Sequence, residues 1–454
     1  MKDFKARLKE VFEQNSDKIL VHDLVNGVDM TYAEVLGESL KLSVHLENKG
    51  VEVGDRVAFS LNNGAKLLQI YLACMHIGAT AAPVNKDLPD DKKEKVVEKL
   101  KPELFIEKYP EETSDDAEKK PFKGLKENSQ IIFHTSGTTD TPKGVLYDYS
   151  SIHGNLQRIS ENLEFESFVA FNHLPMSWLA SYHGATLLPL INGGKIVLTD
   201  NFGPEQGMEY WEIVRKYEVD FLMLVPSIIR SLLEIDRQRK ESGELFALCG
   251  TAPITSNERK KFEQRFDIPV YEFYGLSEAN FVSMNSKGQK RRSVGKVIDG
   301  CEVEIIRDGK PVEEGTGSIW VKSKYSLERY LFEEEERGEH FFLTGDMGRM
   351  DEEGYIHIDG REKDMIIKKS KKINPKHIEN VLVSQPGVET AIVKGEGGGD
   401  NEEIHAFIKA ENEKREKIIR RCREDLDKTE IPDKITFKTE FPKSATGKVL
   451  RGEL

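Results

Sequence analysis

Strand, helix and strand signals follow one another through the first 280 residues with short links between them, and this order restricts the fold most. An apolar helical pattern (Phe4, Leu8, Val11, Phe12) occupies residues 2–15, and a strand pattern follows at 19–22. Thr31 is placed to cap the next helix. Gly54-Asp55 turns into a buried strand over 56–61, residues 67–77 read as a helix ending at Gly78, and 79–84 returns as a strand. Parallel neighbours require such crossovers, so the pattern predicts a parallel sheet wrapped by helices.

The same grammar continues. Residues 92–99 read as a charged helix and 111–127 as a polar connection. Leu174-Pro175-Met176-Ser177-Trp178 precedes an apolar helix over 185–190. Strands are expected at 195–198, 219–224, 245–249 and 269–273, with Pro226 opening a helix whose apolar face is Ile228, Ile229, Leu232 and Leu233. The last two strands run into Gly250-Thr251-Ala252-Pro253 and Tyr274-Gly275-Leu276-Ser277-Glu278. Small or polar loops at strand ends lie along one sheet edge, where open α/β folds bind ligands.

Composition changes after Ser293. Residues 303–307, an Asp308-Gly309 turn and residues 318–321 read as an antiparallel hairpin region. Strands at 388–393 and 405–409 and a helix over 411–426 form a small α+β unit, and Gly395–Gly399 reads as its hairpin tip. The expected fold class is α/β: a large N-terminal domain of helix-wrapped sheets with a β-rich subdomain, then a small α+β C-terminal domain.

Bulk properties exclude several function classes. Lys+Arg minus Asp+Glu is 66 − 79 = −13, which disfavours nucleic acid or an anionic membrane as the main partner. Four scattered cysteines (Cys74, Cys249, Cys301, Cys422) form no CxxC pair, which fits a reducing compartment. No apolar run reaches transmembrane length, and the N-terminus reads as an amphipathic helix rather than a signal peptide. A cytoplasmic, soluble protein is expected. The 11 histidines show no HExxH-like metal spacing.

The densest chemistry lies at Phe133-His134-Thr135-Ser136-Gly137-Thr138-Thr139-Asp140-Thr141-Pro142-Lys143-Gly144. Hydroxyls and glycine amides supply the donors that phosphate oxygens require. Six residues separate Gly137 from Gly144 and Lys143 precedes the second glycine, so this is not the common phosphate loop. The same residue types also mark an ordinary polar turn.

Further motifs in order settle which reading to follow. The sequence resembles the AMP-forming adenylating superfamily over nearly its whole length. Thr135-Ser136-Gly137-Thr138-Thr139 with Pro142-Lys143-Gly144 resembles that family's phosphate loop, and Tyr274-Gly275-Leu276-Ser277-Glu278 its Tyr-Gly-x-Thr-Glu segment. Thr344-Gly345-Asp346 resembles its ribose-binding segment, Gly360-Arg361-Glu362-Lys363-Asp364 its hinge, and Pro442-Lys443-Ser444-Ala445-Thr446-Gly447-Lys448 the segment of its mobile lysine. The resemblance implies ATP-dependent conversion of a carboxylic acid to acyl-AMP with release of pyrophosphate, then transfer to CoA. Thr135, Ser136, Gly137, Thr138, Thr139 and Lys143 would hold phosphates, and Glu278 would bind Mg²⁺. Tyr274, Gly275, Ser277 and the Gly250-Thr251-Ala252 backbone would surround adenine. Asp346 and Arg361 would meet the ribose, and Lys448 the reacting carboxylate; Thr135 and Glu278 complete the catalytic set. Residues 1–361 would form the nucleotide and acyl domain, and 362–454 a lid hinged at Lys363.

Acyl specificity is less explicit. Amino-acid-activating members of the family pair the substrate amine with an aspartate near the start of the pocket segment. Ser177-Trp178-Leu179-Ala180 offers none, so the resemblance implies a fatty or aryl acid rather than an amino acid. Trp178 and His183 are pocket candidates. Alternatives are a ligase that loads a carrier protein and a non-catalytic relative that binds nucleotide or CoA. Three departures from the family pattern bear on these. Asp140 replaces a glycine and adds negative charge beside the phosphates; Tyr149 stands where a histidine is usual. Lys368-Lys369-Ser370-Lys371-Lys372 replaces a glycine pair, and those lysines would narrow an acceptor channel, contact phosphates or stay solvated.

Overall fold

The computed structural model describes residues 4–111, 129–134, 143–164, 167–239, 244–286, 288, 290, 293–327, 329–331, 340–369, 371–399, 401–410, 415–442, 449 and 451–454. The strand–helix alternation resolves into two large sheets. One has nine strands in the spatial order Lys296–Val297, Asn280–Met284, Val270–Leu276, Phe246–Cys249, Phe221–Leu224, Val169–Asn172, Lys195–Leu198, Ile19–Asp23 and Val28–Thr31. Its centre is parallel, and Phe221–Leu224 is buried at every residue, as a strand covered on both faces must be. The other has six, in the order Arg329–Tyr330, Gly144–Asp148, Gln130–His134, Thr80–Pro83, Arg56–Phe59 and Leu104–Ile106.

Local chemistry sets the helices between them. Thr31 and Glu34 form the expected capping box ahead of Tyr32–Asn48, and Gly78 ends Ala65–Ile77 at φ 76°. The helix Ala65–Ile77 is apolar nearly all round, and its side chains join one core with residues of both sheets. Phe4, Leu8, Val11 and Phe12 all dock into that core from Phe4–Gln14.

A five-stranded antiparallel sheet follows, ordered Lys310–Pro311, Cys301–Arg307, Gly317–Ser323, Phe342–Met350, Ile356–Arg361. Gly317–Ser323 alternates strictly between buried and half-buried, so one face packs inward. The Asp308-Gly309 turn is present, with φ of 51° and 75°, but leads into the short strand Lys310–Pro311. The strand at Ser318 pairs with Ile306 only after a further loop.

The C-terminal part has its own core, including Ile366, Ile378, Leu382, Val393, Ile404 and Ile418. The helices Pro375–Val383 and Arg415–Asp425 accompany Val388–Glu396, Glu403–Ala410 and Lys434–Phe437, with Gly397 to Gly399 at the hairpin tip. Residues 112–128 and 411–414 of the expected connection and helix lie outside the described set.

One expectation needs correction and another a refinement. Residues 274–276, read as loop, continue the strand Val270–Leu276 because Asn280–Met284 folds back and pairs with it. The helical segment expected over 185–190 is present but starts earlier and is wound more widely, as a π-helix, Ser181–Leu187, running into the short α-helix Leu188–Ile191. Pro189 has no N–H for the Ala185 carbonyl, and Leu188 N–H reaches back five residues to His183 O. Among the described residues no helix is long and apolar enough to cross a membrane.

Candidate functional site

Thr135, Ser136, Gly137, Thr138, Thr139, Asp140 and Lys448 lie outside the described residues, as does Ser370. The remaining predicted residues fall into three groups.

The first is centred on Asp346. Strands Phe342–Met350 and Ile356–Arg361 pair so that Asp346 faces Arg361 across the ladder. Asp346 is 4% exposed, yet both oxygens have donors: Tyr274 Oη at 2.6 Å on Oδ2 and Arg361 Nε at 2.8 Å on Oδ1. A buried carboxylate persists only when paired this way. Burial, then the neighbouring Asp346 charge, pushes the Tyr274 hydroxyl well above its ordinary range, so it remains a donor. A carboxylate has about four acceptor sites, leaving Asp346 capacity for a diol. Tyr274 sits in the apolar cluster of Ala279, Val282, Ile305 and Ile319, with little of its ring uncovered.

The second group surrounds Glu278. Its Oε1 accepts from Tyr330 Oη at 2.7 Å, and Lys143 Nζ lies 4.7 Å from the Tyr330 ring centre. Tyr147 Oη donates to the Ser277 carbonyl at 2.7 Å, fixing the turn before Glu278. Gly275 is required here: a Cβ would stand 2.5 Å from the Asn280 carbonyl. Gly250 is likewise demanded, since a Cβ would meet the Phe273 ring at 2.3 Å. Thr251 follows at φ 66°, with Ala252 next in the same surface loop.

The third group, His183 and Asn280, is buried. His183, from the π-helix, meets Asn280 Oδ1 through Nδ1 at 3.0 Å, so Nδ1 carries the proton and Nε2 is an acceptor. Burial pushes the His183 pKa down to about 4, so the ring is neutral. Neither His183 Nε2 nor Asn280 Nδ2 has a hydrogen-bond partner among the described residues. Phe133, Tyr147 and Tyr182 surround the imidazole. Trp178 is half-buried on the turn leading into this π-helix. Asn280 and Tyr330 went unnoticed in the sequence, where only their nearness to motifs could have flagged them.

The sequence profile described as AMP-binding enzyme matches residues 8–331, and that of the AMP-binding enzyme C-terminal domain matches 377–448. The chain belongs to the AMP-binding enzyme family. ATP-dependent acyl adenylation is the chemistry that comes with this membership. The 2-succinylbenzoate–CoA ligase of Bacillus subtilis (strain 168) is 27% identical over 458 residues, covering 94% of this chain and 92% of that protein. The sulfoacetate–CoA ligase of Cupriavidus necator is 29% identical over 340 residues, 71% of this chain but only 66% of that relative. The crystal structure of ATP-bound MatB from Rhodopseudomonas palustris has the same fold, with TM-score 0.88 over 98% of this chain and 97% of that one at 23% identity.

Within this AMP-binding enzyme, Lys363 is exposed in the 3₁₀ turn Glu362–Asp364, immediately after Arg361. The lysine run forms a hairpin, Ile366–Lys368 with Lys371–Ile373. Lys368 pairs with Asp433 at 2.6 Å and Lys372 with Glu362 at 3.7 Å, whereas Lys369 and Lys371 are exposed. Lys369 has φ 51°, the left-handed backbone that a glycine adopts more readily. Tyr149, in place of the usual histidine, is buried against Phe4 and Tyr182. No cluster of His, Cys, Asp and Glu suited to a metal occurs among the described residues.

Proposed function

We propose that the chain is an AMP-forming acid–thiol ligase that activates a fatty or aryl carboxylic acid and passes the acyl group to CoA. The observation carrying this reading is the Tyr274–Asp346–Arg361 group: a buried carboxylate, pre-oriented by two donors, beside an exposed guanidinium. Such a group suits a ribose diol. Glu278 offers the hard oxygen that Mg²⁺ takes, and the ion when bound supplies neutralisation of phosphate charge. In this reading Lys143 meets the phosphates at the loop edge, and the motif resemblance gives Thr135–Thr139 to the phosphates and Lys448 to the reacting carboxylate. In the neutral His183–Asn280 pair, an acceptor nitrogen and an amide donor await a bound acid or nucleotide.

In this reading the substrate carboxylate displaces pyrophosphate from the α-phosphorus, and the CoA thiol then displaces AMP from the acyl carbon. Residues 1–361 hold nucleotide and acid; residues 362–454 turn about Lys363 between the steps. Relatives named for CoA ligation support CoA as acceptor. The exposed Lys369 and Lys371 favour one second reading, transfer to an acidic carrier protein.

ATP–pyrophosphate exchange across fatty, aryl and amino acids tests the first half-reaction, and consumption of CoA or carrier protein tests the second. Exchange with a fatty or aryl acid and CoA consumption are expected. Nucleotide binding without exchange on any acid would leave a non-catalytic relative.

A further inference from the structure

Three segments of chain meet at Glu278. The short strand Arg329–Tyr330 forms one edge of the six-stranded sheet and pairs antiparallel with Gly144–Asp148, Tyr330 opposite Val145. Just beyond it, Leu331 N–H donates to the Gly144 carbonyl at 2.8 Å, directly after Lys143. Just before it, Leu327 N–H donates to the Glu278 carbonyl at 3.0 Å. Leu327 on one side and Arg329, Tyr330 and Leu331 on the other therefore hold the Glu278 loop and the Lys143 strand through backbone bonds.

The Tyr330 side chain makes the same join a second time. Tyr330 is 7% exposed, its hydroxyl donates to Glu278 Oε1 at 2.7 Å, and the Lys143 ammonium lies over its ring face. A cation on the ring face draws electron density from the phenol and strengthens its O–H as a donor. A hydrogen bond on one carboxylate oxygen also fixes rotation about the last side-chain bond of Glu278. Partners of this type orient metal ligands, and their loss typically costs about 10–100-fold in metal affinity.

We infer that Tyr330 is a positioning residue: it orients Glu278 for a divalent cation and holds Lys143 in place for the nucleotide. The inference rests on the reading of Glu278 as metal ligand. Each half of the phenol has a separate task. The hydroxyl serves the metal and the ring face serves Lys143, so two substitutions separate them.

The experiment uses the full chain and a non-hydrolysable ATP analogue. Calorimetry gives analogue affinity in EDTA, and titration of Mg²⁺ into the analogue complex gives metal affinity. Tyr330→Phe keeps the ring and should weaken Mg²⁺ binding by about tenfold while metal-free analogue affinity stays within about twofold. Tyr330→Leu should weaken both. Glu278→Gln should lose Mg²⁺ binding and serves as the reference. Should Glu278→Gln bind Mg²⁺ like the parent, the metal reading beneath the inference is wrong. If that variant loses the metal while Tyr330→Phe retains parental affinity, the positioning role is overturned. Should Tyr330→Leu fail to fold, Tyr330→Phe still decides the hydroxyl's role, since it leaves the packed ring in place.

Discussion

At Asp346, charge and burial conflict, and Tyr274 with Arg361 resolves the conflict. Asp346→Asn keeps the shape and leaves the Tyr274 hydroxyl an acceptor, while the Arg361 partner it strands is exposed and easily hydrated. Nucleotide affinity should fall about tenfold or more, as expected for a charged hydrogen bond worth about 1.5–3 kcal/mol, with the melting temperature shifting by only a few degrees. Parental affinity in calorimetry would remove the ribose role from Asp346. The His183–Asn280 pair makes a different demand. Asn280→Ala removes the partner that fixes the imidazole tautomer, which should raise KM for the acid more than KM for ATP. A larger rise in the ATP KM would place the pair on the nucleotide side of the site.

At the level of elements, the strand Val270–Leu276 carries Tyr274 and leads to Glu278, and its position depends on Gly275. Gly275→Ala forces a Cβ against the Asn280 carbonyl, so one strand of the pair must shift. A cost of about 1–3 kcal/mol is expected in chemical unfolding, with kcat falling further than stability explains. Normal kcat in a destabilised variant would show that Glu278 tolerates the shift. This strand also shows where sequence reasoning stops. Its start was legible from the β-formers Val270, Tyr271 and Phe273, although Glu272 interrupts the apolar run. Its continuation through Gly275 depends on a partner strand and leaves no periodic mark. The π-helix is similar: Pro189 was visible, but not that the ladder would widen rather than break. Glu278 meets Tyr330 across 52 positions and Tyr274 meets Asp346 across 72. No local pattern encodes such meetings. The ordered motifs supplied Asp346 and Glu278 through family likeness, whereas Tyr330 and Asn280 emerged only from packing.

For the whole molecule, buried neutral histidines tie stability to pH. Burial, complete at His173 and His183 and partial at His76 and His134, holds the four at about 4, against an ordinary value near 6.5. Between these values the unfolded chain binds protons that the native chain refuses, so stability falls as pH drops from about 6.5 toward 4. Asp220, raised to about 6 by burial, takes a proton first in the native state and offsets roughly one histidine. The histidines outnumber this offset, so urea midpoints should fall between pH 6.5 and 5. A flat midpoint over that range would mean that these imidazoles protonate in place. The proposed lid motion makes the other demand on the whole chain. Separate apolar cores on either side of residues 362–364 allow the two parts to turn as bodies, with the backbone change concentrated at Lys363. Among the described residues, Asn374 Nδ2 donates to the Asp359 carbonyl at 2.6 Å and Lys372 pairs with Glu362 across this turn, polar contacts that water can replace when they break. Lys363→Pro fixes φ there without removing the Met365 N–H bond to Glu362 O that closes the turn. Adenylation, followed by pyrophosphate exchange, should persist, and thioester formation should fall about 100-fold, while Lys363→Ala keeps both. Equal loss of the two half-reactions in the proline variant would place the pivot elsewhere.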